Sequence, residues 1–333
     1  MGSGAANASP TWAATPRPAR LAPVRASTYA RFGSVDVLEV RELPEPPPRA
    51  GEARVRVHAG ALNPKDVLLR RGKMRWLGPA RFPRIPGYDF AGVLMDPAGD
   101  LAAGTEVFGM VDSNYGGACA EVVRVPVDEL AAKPAALSMV EAAALPLVGL
   151  TALQGLRDEL ELRRGDRILL NGASGGVGTV AIQIAALLGG RVTAVCSGRN
   201  RDLVTGLGAR QVIDYTRAPI TGRYERIFDI FGTLPWPRAK PLLEPGGRYC
   251  TTIPRGANVA RGALRRLGLH PAALVVVESR RRDLEHLARW ATAGDLRPVV
   301  DSIFPLAEAR DAHARLETRR AQGKVVLTLG AGA

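Results

Sequence analysis

The chain has 333 residues, 46% of them hydrophobic and 23% charged, and a formal net charge of +13. That length exceeds a usual single core, so two domains are expected, and the composition is that of a soluble globular protein and excludes a disordered one. No apolar run reaches the roughly 18–20 residues that cross a bilayer.

Residues 1–25, rich in Ala, Pro, Ser, Thr and Arg, contain no apolar stretch of signal-peptide length. They read as a disordered tail, because such a composition cannot offset its ordering entropy. A cytoplasmic location is the accompanying expectation. From about residue 26 to 145 the texture is that of strands. Arg54-Val55-Arg56-Val57-His58-Ala59 alternates with period two, and the runs at 91–95, 105–111 and 120–125 are parted by Gly, Pro and Asp at hairpin-like spacing. An irregular antiparallel barrel fits this pattern.

After Leu150 the rhythm becomes strand–helix alternation. A short apolar run, Arg167–Asn171, precedes a glycine cluster; Val177, Val180, Ala181, Ile184, Ala185 and Leu188 then mark one helix face, which Gly189-Gly190 ends. Strands predicted at 191–196, 211–214, 226–231, 248–253 and 273–277 complete a doubly wound parallel sheet. Helices near 282–293 and 306–318 and a strand at 324–329 follow. That last strand can return to the first domain; periodicity by itself leaves this open.

The loop Gly172-Ala173-Ser174-Gly175-Gly176-Val177-Gly178 lies between a strand and an amphipathic helix, the context a dinucleotide fingerprint requires. Gly172 permits a tight exit from the strand, Gly175 and Gly176 let backbone approach a pyrophosphate, and Gly178 lets helix and sheet close up. Gly172, Ser174, Gly175, Gly176, Val177 and Gly178 are therefore the candidate cofactor contacts, with N–H groups and the helix dipole meeting phosphate charge. An NAD site places an acid at the end of the second strand. Here that end reads Val195-Cys196-Ser197-Gly198-Arg199. Ser197 can donate a hydrogen bond and Arg199 can pair with a 2′-phosphate, so the expected cofactor is NADPH.

Cys119, Cys196 and Cys250 form no CxxC pair and read as small buried hydrophobes. Basic residues gather at Arg17, Arg20, Arg25, Arg261, Arg265, Arg266 and 280–282, which raises a polyanionic partner. No aromatic residues interleave with them, so nucleic-acid binding is not expected.

Asn63-Pro64-Lys65-Asp66, Pro86-Gly87-Tyr88-Asp89-Phe90-Ala91-Gly92, Ala142-Ala143-Ala144-Leu145-Pro146, Leu150-Thr151-Ala152, Val212-Ile213-Asp214-Tyr215 and Gly323-Lys324-Val325-Val326-Leu327 occur in order. With the glycine loop, they resemble the zinc-independent, quinone oxidoreductase-like branch of the medium-chain dehydrogenase/reductase superfamily, from about residue 27 to 329. The resemblance implies an α/β protein: a GroES-like β-barrel catalytic domain, 26–146 and 273–333, and a Rossmann NADPH domain, 147–272. It also implies a cleft between them and a homodimer. By position, Asn63 and Thr151 would lie near the nicotinamide, and Ser197, Arg199 and Tyr215 around the 2′-phosphate.

Zinc members use a Cys near the position of Asn63 and a His-Glu pair near Tyr88-Asp89; this chain has neither set, and no metal site is expected. Related enoyl reductases carry a Gly-x-Tyr element where this chain reads Gly72-Lys73-Met74, and Met74 cannot donate a proton. Tyr88 is the remaining hydroxyl candidate for catalysis, although a packing role is the better reading of it, while Lys65 and Asp66 are expected to order their loop. The expected reaction is hydride transfer to a quinone or other conjugated carbonyl. The alternatives are an enoyl-thioester or biosynthetic enone reductase, and an NADPH-binding interaction protein that contacts RNA.

Overall fold

The computed structural model describes residues 22–75, 81–112 and 116–330. The chain opens with β1 (Pro23–Tyr29), β2 (Leu38–Pro44), β3 (Glu52–Leu62), α1 (Pro64–Arg70), β4 (Asp89–Leu94), β5 (Glu106–Met110), β6 (Val122–Pro126) and β7 (Leu130–Ala132). Two helices, α2 (Met139–Ala143) and α3 (Pro146–Gln154), lead to β8 (Arg167–Asn171), α4 (Gly176–Leu187), β9 (Arg191–Cys196), α5 (Arg201–Gly206), β10 (Gln211–Asp214) and β11 (Tyr224–Asp229). Then come α6 (Trp236–Ala239), β12 (Leu243–Thr251), α7 (Gly256–Arg266), β13 (Ala272–Leu274), α8 (Arg281–Thr292), β14 (Val300–Pro305), α9 (Ala309–Glu317) and β15 (Lys324–Thr328).

The expected tail over residues 1–25 needs correction at its end. Pro23, Val24 and Arg25 belong to β1, paired antiparallel with β2; residues 1–21 lie outside the described residues. The barrel sheet runs β14-β15-β3-β4-β5-β7, with β6 also on β3. β3 outlasts the alternating stretch that predicts it. Its second half, Ala59 to Leu62, is buried throughout, with Ala59 and Ala61 packed into one core cluster and Leu62 into another, and a strand covered on both faces loses period two. β15 does return to the first domain, antiparallel to β3.

The second sheet is all parallel, in the order β10-β9-β8-β11-β12-β13. The order reverses between β8 and β11, and the crevice beyond that switch point is where such sheets bind ligands. The expected boundary between residues 272 and 273 falls inside β13, so Ala273 and Leu274 belong to this sheet. Helix α8 buries Leu284, Leu287 and Ala291, spaced for one face; each leucine contributes about 1.5–3 kcal/mol. The largest core cluster runs through both domains by way of α2 and α3. Cys119, Cys196 and Cys250 are free and buried, as expected.

Candidate active site and cofactor cleft

The glycine loop leaves β8 at the switch point. Gly172 takes φ +92°, a conformation that side-chain-bearing residues rarely adopt. A Cβ at Gly178 would sit 2.6 Å from the Ala173 carbonyl carbon, so only glycine lets α4 start this close to the loop. Above Gly175 the space is open: a Cβ there would meet only the Gly172 oxygen, at 3.7 Å. The first N–H groups of α4, at Gly176, Val177 and Gly178, have no carbonyl one turn back within the helix. An open cradle lined by free N–H groups at the positive end of a helix fits a pyrophosphate.

The loop is also latched from outside. The Ser174 hydroxyl accepts a hydrogen bond from Asn200 Nδ2 at 2.8 Å, and Asn200 Oδ1 accepts one from Gln322 Nε2 at 2.6 Å. The Gly323 amide donates to the Ser174 carbonyl at 3.2 Å. The segment entering β15 thus grips the loop.

Ser197 and the exposed Arg199 lie on the turn after β9. Parallel pairing sets Asp214 opposite Cys196, and the Tyr215 amide donates to the Cys196 carbonyl. Ser197, Arg199 and Tyr215 therefore share one end of the sheet, with Tyr215 61% exposed. Asp214 is in the same corner, but its carboxylate accepts the Thr216 hydroxyl at 2.7 Å and amide at 3.0 Å. Those bonds hold it below the usual carboxylate range.

On the barrel side of the glycine loop is a buried charge network. Lys324 Nζ donates to Asn63 Oδ1 at 2.6 Å and to Asp89 Oδ2 at 2.8 Å. Asn63 Nδ2 donates to the same Asp89 oxygen at 2.8 Å, and the Leu147 amide donates to Asp89 Oδ1 at 2.6 Å. Thr151, one turn on, donates its hydroxyl to the Leu147 carbonyl at 2.7 Å. Asn63 and Thr151 are thus joined through Asp89 and the start of α3, and Asn63's amide is fully committed to this floor. Asp66 orders the loop as expected: it accepts the Asn63 and Gly87 amides at 2.8 and 2.7 Å. Burial pushes its carboxyl up to about 6 despite those two bonds.

Tyr88 is 1% exposed, and its hydroxyl is buried without a hydrogen-bond partner. Desolvation raises its pKa, so the phenol holds its proton and suits packing better than proton delivery. The Lys65 ammonium lies 4.2 Å above the centre of that ring. Met74 packs against the main core.

A zinc ion does not fit here. The floor offers an amide, a buried phenol that keeps its proton and two carboxylates, Asp89 paired with an ammonium and Asp66 taken up by two backbone amides, whereas zinc needs about four N, S or O ligands. Among the described residues no three His, Cys, Asp or Glu side chains cluster as a metal site.

Asp89, Lys324, Asn200 and Gln322 were not singled out by sequence reasoning as site residues. Asp89 lies inside the Pro86–Gly92 motif and Lys324 inside Gly323–Leu327, which is the only signal that marks them; Asn200 and Gln322 carry none.

Two domain families match: the alcohol dehydrogenase GroES-like domain over residues 49–135 and the zinc-binding dehydrogenase family over 207–327. A spinach (Spinacia oleracea) chloroplastic quinone-oxidoreductase homolog is 31% identical over 91% of this chain and 98% of its own. A chloroplastic NADPH-dependent alkenal/one oxidoreductase of Arabidopsis thaliana is 33% identical over 91% of this chain and 79% of its own. The structure of a quinone oxidoreductase from Coxiella burnetii superposes with a TM-score of 0.83 at 28% identity, covering 93% of this chain and all of that one. Barrel, parallel sheet, glycine loop and full-length relatives agree: the chain is an oxidoreductase that binds a nicotinamide cofactor, and it belongs to the quinone oxidoreductase-like branch of the medium-chain dehydrogenase/reductase superfamily.

Proposed function

We propose that this protein is an NADPH-dependent reductase that delivers hydride to a quinone or to the β-carbon of a conjugated carbonyl, without a metal. The observation that carries the reading is the Lys324 ammonium bonded to Asn63 and Asp89 where zinc relatives would have ligands. Without a Lewis acid, an unactivated alcohol or ketone is a poor partner, whereas a conjugated acceptor spreads the incoming charge over its own π-system. The names of the spinach and Arabidopsis relatives point the same way.

When bound, the dihydronicotinamide supplies the hydride. The chain's own residues do the rest. The N–H groups of Gly176, Val177 and Gly178 hold the pyrophosphate, with Gly172, Ser174 and Gly175 shaping the loop. Ser197 and Arg199 meet the 2′-phosphate, flanked by Tyr215. Asn63 and Thr151 fix the wall beside the nicotinamide, holding acceptor and cofactor at near-attack distance.

Arg25, Arg265, Arg280, Arg281 and Arg282 each face a carboxylate: Glu121, Glu161, Glu278, Asp100 and Asp283. Such pairing favours a small acceptor over a polyanionic partner. A homodimer fits β13, an edge strand in the sheet order, flanked by Leu267, Leu269 and Val276, which are 71%, 71% and 59% exposed. No helix among the described residues is long and apolar enough to cross a membrane, and the cytoplasmic location remains part of this proposal. The test is stopped-flow oxidation of NADPH with a panel of quinones, alkenals and enoyl thioesters. Turnover of quinones or free enones is the expected result. No turnover of any acceptor would overturn the reading, and turnover of thioesters alone would replace it with the enoyl-thioester reductase.

A further inference from the structure

Reduction of a conjugated carbonyl leaves a negative oxygen that needs a donor. Asn63 is committed to the floor, Thr151 donates its hydroxyl to its own helix, and the Tyr88 phenol is buried. Lys65 differs from all three. Among the described residues its ammonium has neither a hydrogen bond nor an ion pair; it lies over the face of the Tyr88 ring, at 4.2 Å. It is half-buried and stands on α1 two residues from Asn63, beside a tyrosine one residue from Asp89. The loop-ordering duty expected of the Lys65-Asp66 pair falls to Asp66 alone.

We propose that Lys65 is a catalytic residue of this reductase: its ammonium faces the acceptor, receives the oxygen that becomes anionic on hydride uptake, and passes it a proton. The inference rests on the reductase reading. The acceptor takes a hydride at its β-carbon, the C=C pair moves to form the enolate, and the carbonyl oxygen becomes negative. One N–H proton of Lys65 moves to that oxygen, giving the enol, which tautomerises to the saturated ketone; the amine then takes a proton from water. For a quinone, the same transfer turns the hydroquinone monoanion into hydroquinone. Two electrons and one proton arrive with the hydride and the second proton comes through Lys65, so the sum balances.

The physical setting suits this task. A cation over an aromatic face is held without being neutralised. Burial lowers the Lys65 pKa, opposed only partly by Asp66 on its own helix and Asp112 beyond β5, and an ammonium made more acidic gives up its proton more readily. Tyr88, the other titratable group against it, stays protonated and contributes its ring.

The experiment compares the full-length protein with Lys65→Met, which keeps the stem, and Lys65→Arg, which keeps the charge. Each is assayed for turnover, for NADPH affinity by fluorescence, and for the absorbance of bound 4-nitrophenol, a stable mimic of the anionic oxygen. The expected result is a fall in kcat of about 10²-fold in Lys65→Met, with NADPH affinity within twofold of wild type. Lys65→Arg retains a larger share of the rate. Bound nitrophenol is phenolate in wild type and phenol in Lys65→Met. Turnover within threefold of wild type, an unchanged phenolate band, or NADPH affinity lost in parallel with rate would each overturn the proposal. Should wild type turn over no acceptor, the reductase reading fails, and the phenolate comparison still judges Lys65 by itself.

Discussion

Replacing Lys324 by Met tests the floor network most directly. Lys324 is 4% exposed and Asp89 fully buried. The carboxylate accepts three hydrogen bonds, from Leu147, Asn63 and Lys324. Met fills the stem's volume but leaves a buried carboxylate held by two neutral donors, and removing one partner of such a pair costs about 3–5 kcal/mol. A loss near 3–4 kcal/mol at pH 7 is expected, because the two remaining bonds soften the penalty. Adding Asp89→Asn removes the stranded charge: Asn63, freed from Lys324, can reverse its amide and accept from the new Nδ2. The double variant should then lose only about 1–2 kcal/mol. Urea denaturation, compared at equal slope, measures both. A loss under about 1 kcal/mol in Lys324→Met, or a double variant no more stable than the single, would refute the idea of a buried ion pair that matters.

Asp66 gives a pH test. Its carboxyl titrates at about 6 in the fold against 3.8 when free, so the folded state binds the extra proton between those values. Its contribution to stability is full below pH 4 and is lost as pH rises through about 6, a change of roughly 3 kcal/mol; Asp66→Asn should flatten the stability–pH slope over that window, and an unaltered slope would contradict the burial argument. Arg199→Ala should weaken NADPH about 10- to 100-fold and leave NADH unchanged; equal loss for both would remove Arg199 from the phosphate site. Gly178→Ala should lower stability by about 2 kcal/mol and NADPH affinity at least tenfold, read by thermal melting and fluorescence titration, since its Cβ would run into the Ala173 carbonyl. Retained affinity would mean the loop tolerates a wider approach.

What could be read from sequence was local. β8, the glycine loop and α4 signal themselves within about twenty consecutive residues, through an apolar run, punctuating glycines and a 3.6-residue period. Gly172 and Gly178 behave in the fold as their positions suggest. The floor of the cleft was not legible in the same way. Lys324 and Asp89 are 235 residues apart, and nothing in either neighbourhood announces the other. Tyr88 illustrates a further limit: a tyrosine in a motif offers a hydroxyl, but only burial decides whether that hydroxyl can act. Likewise β1, with its sequence Pro-Val-Arg-Ala-Ser-Thr-Tyr, merges with a polar tail until β2 pairs with it.

The return of β15 to β3 also governs when this protein can come into being. The parallel sheet uses only residues 167–274, a contiguous stretch that can close as soon as it leaves the ribosome. The barrel cannot: Ala59 to Leu62 must wait for Val325 to Thr328. At about 5–20 residues per second of synthesis that wait lasts on the order of tens of seconds, with one edge of β3 bare. The half of the molecule made first is therefore the half completed last, and its unpaired strand edge is the point at which a nascent chain is most exposed to aggregation.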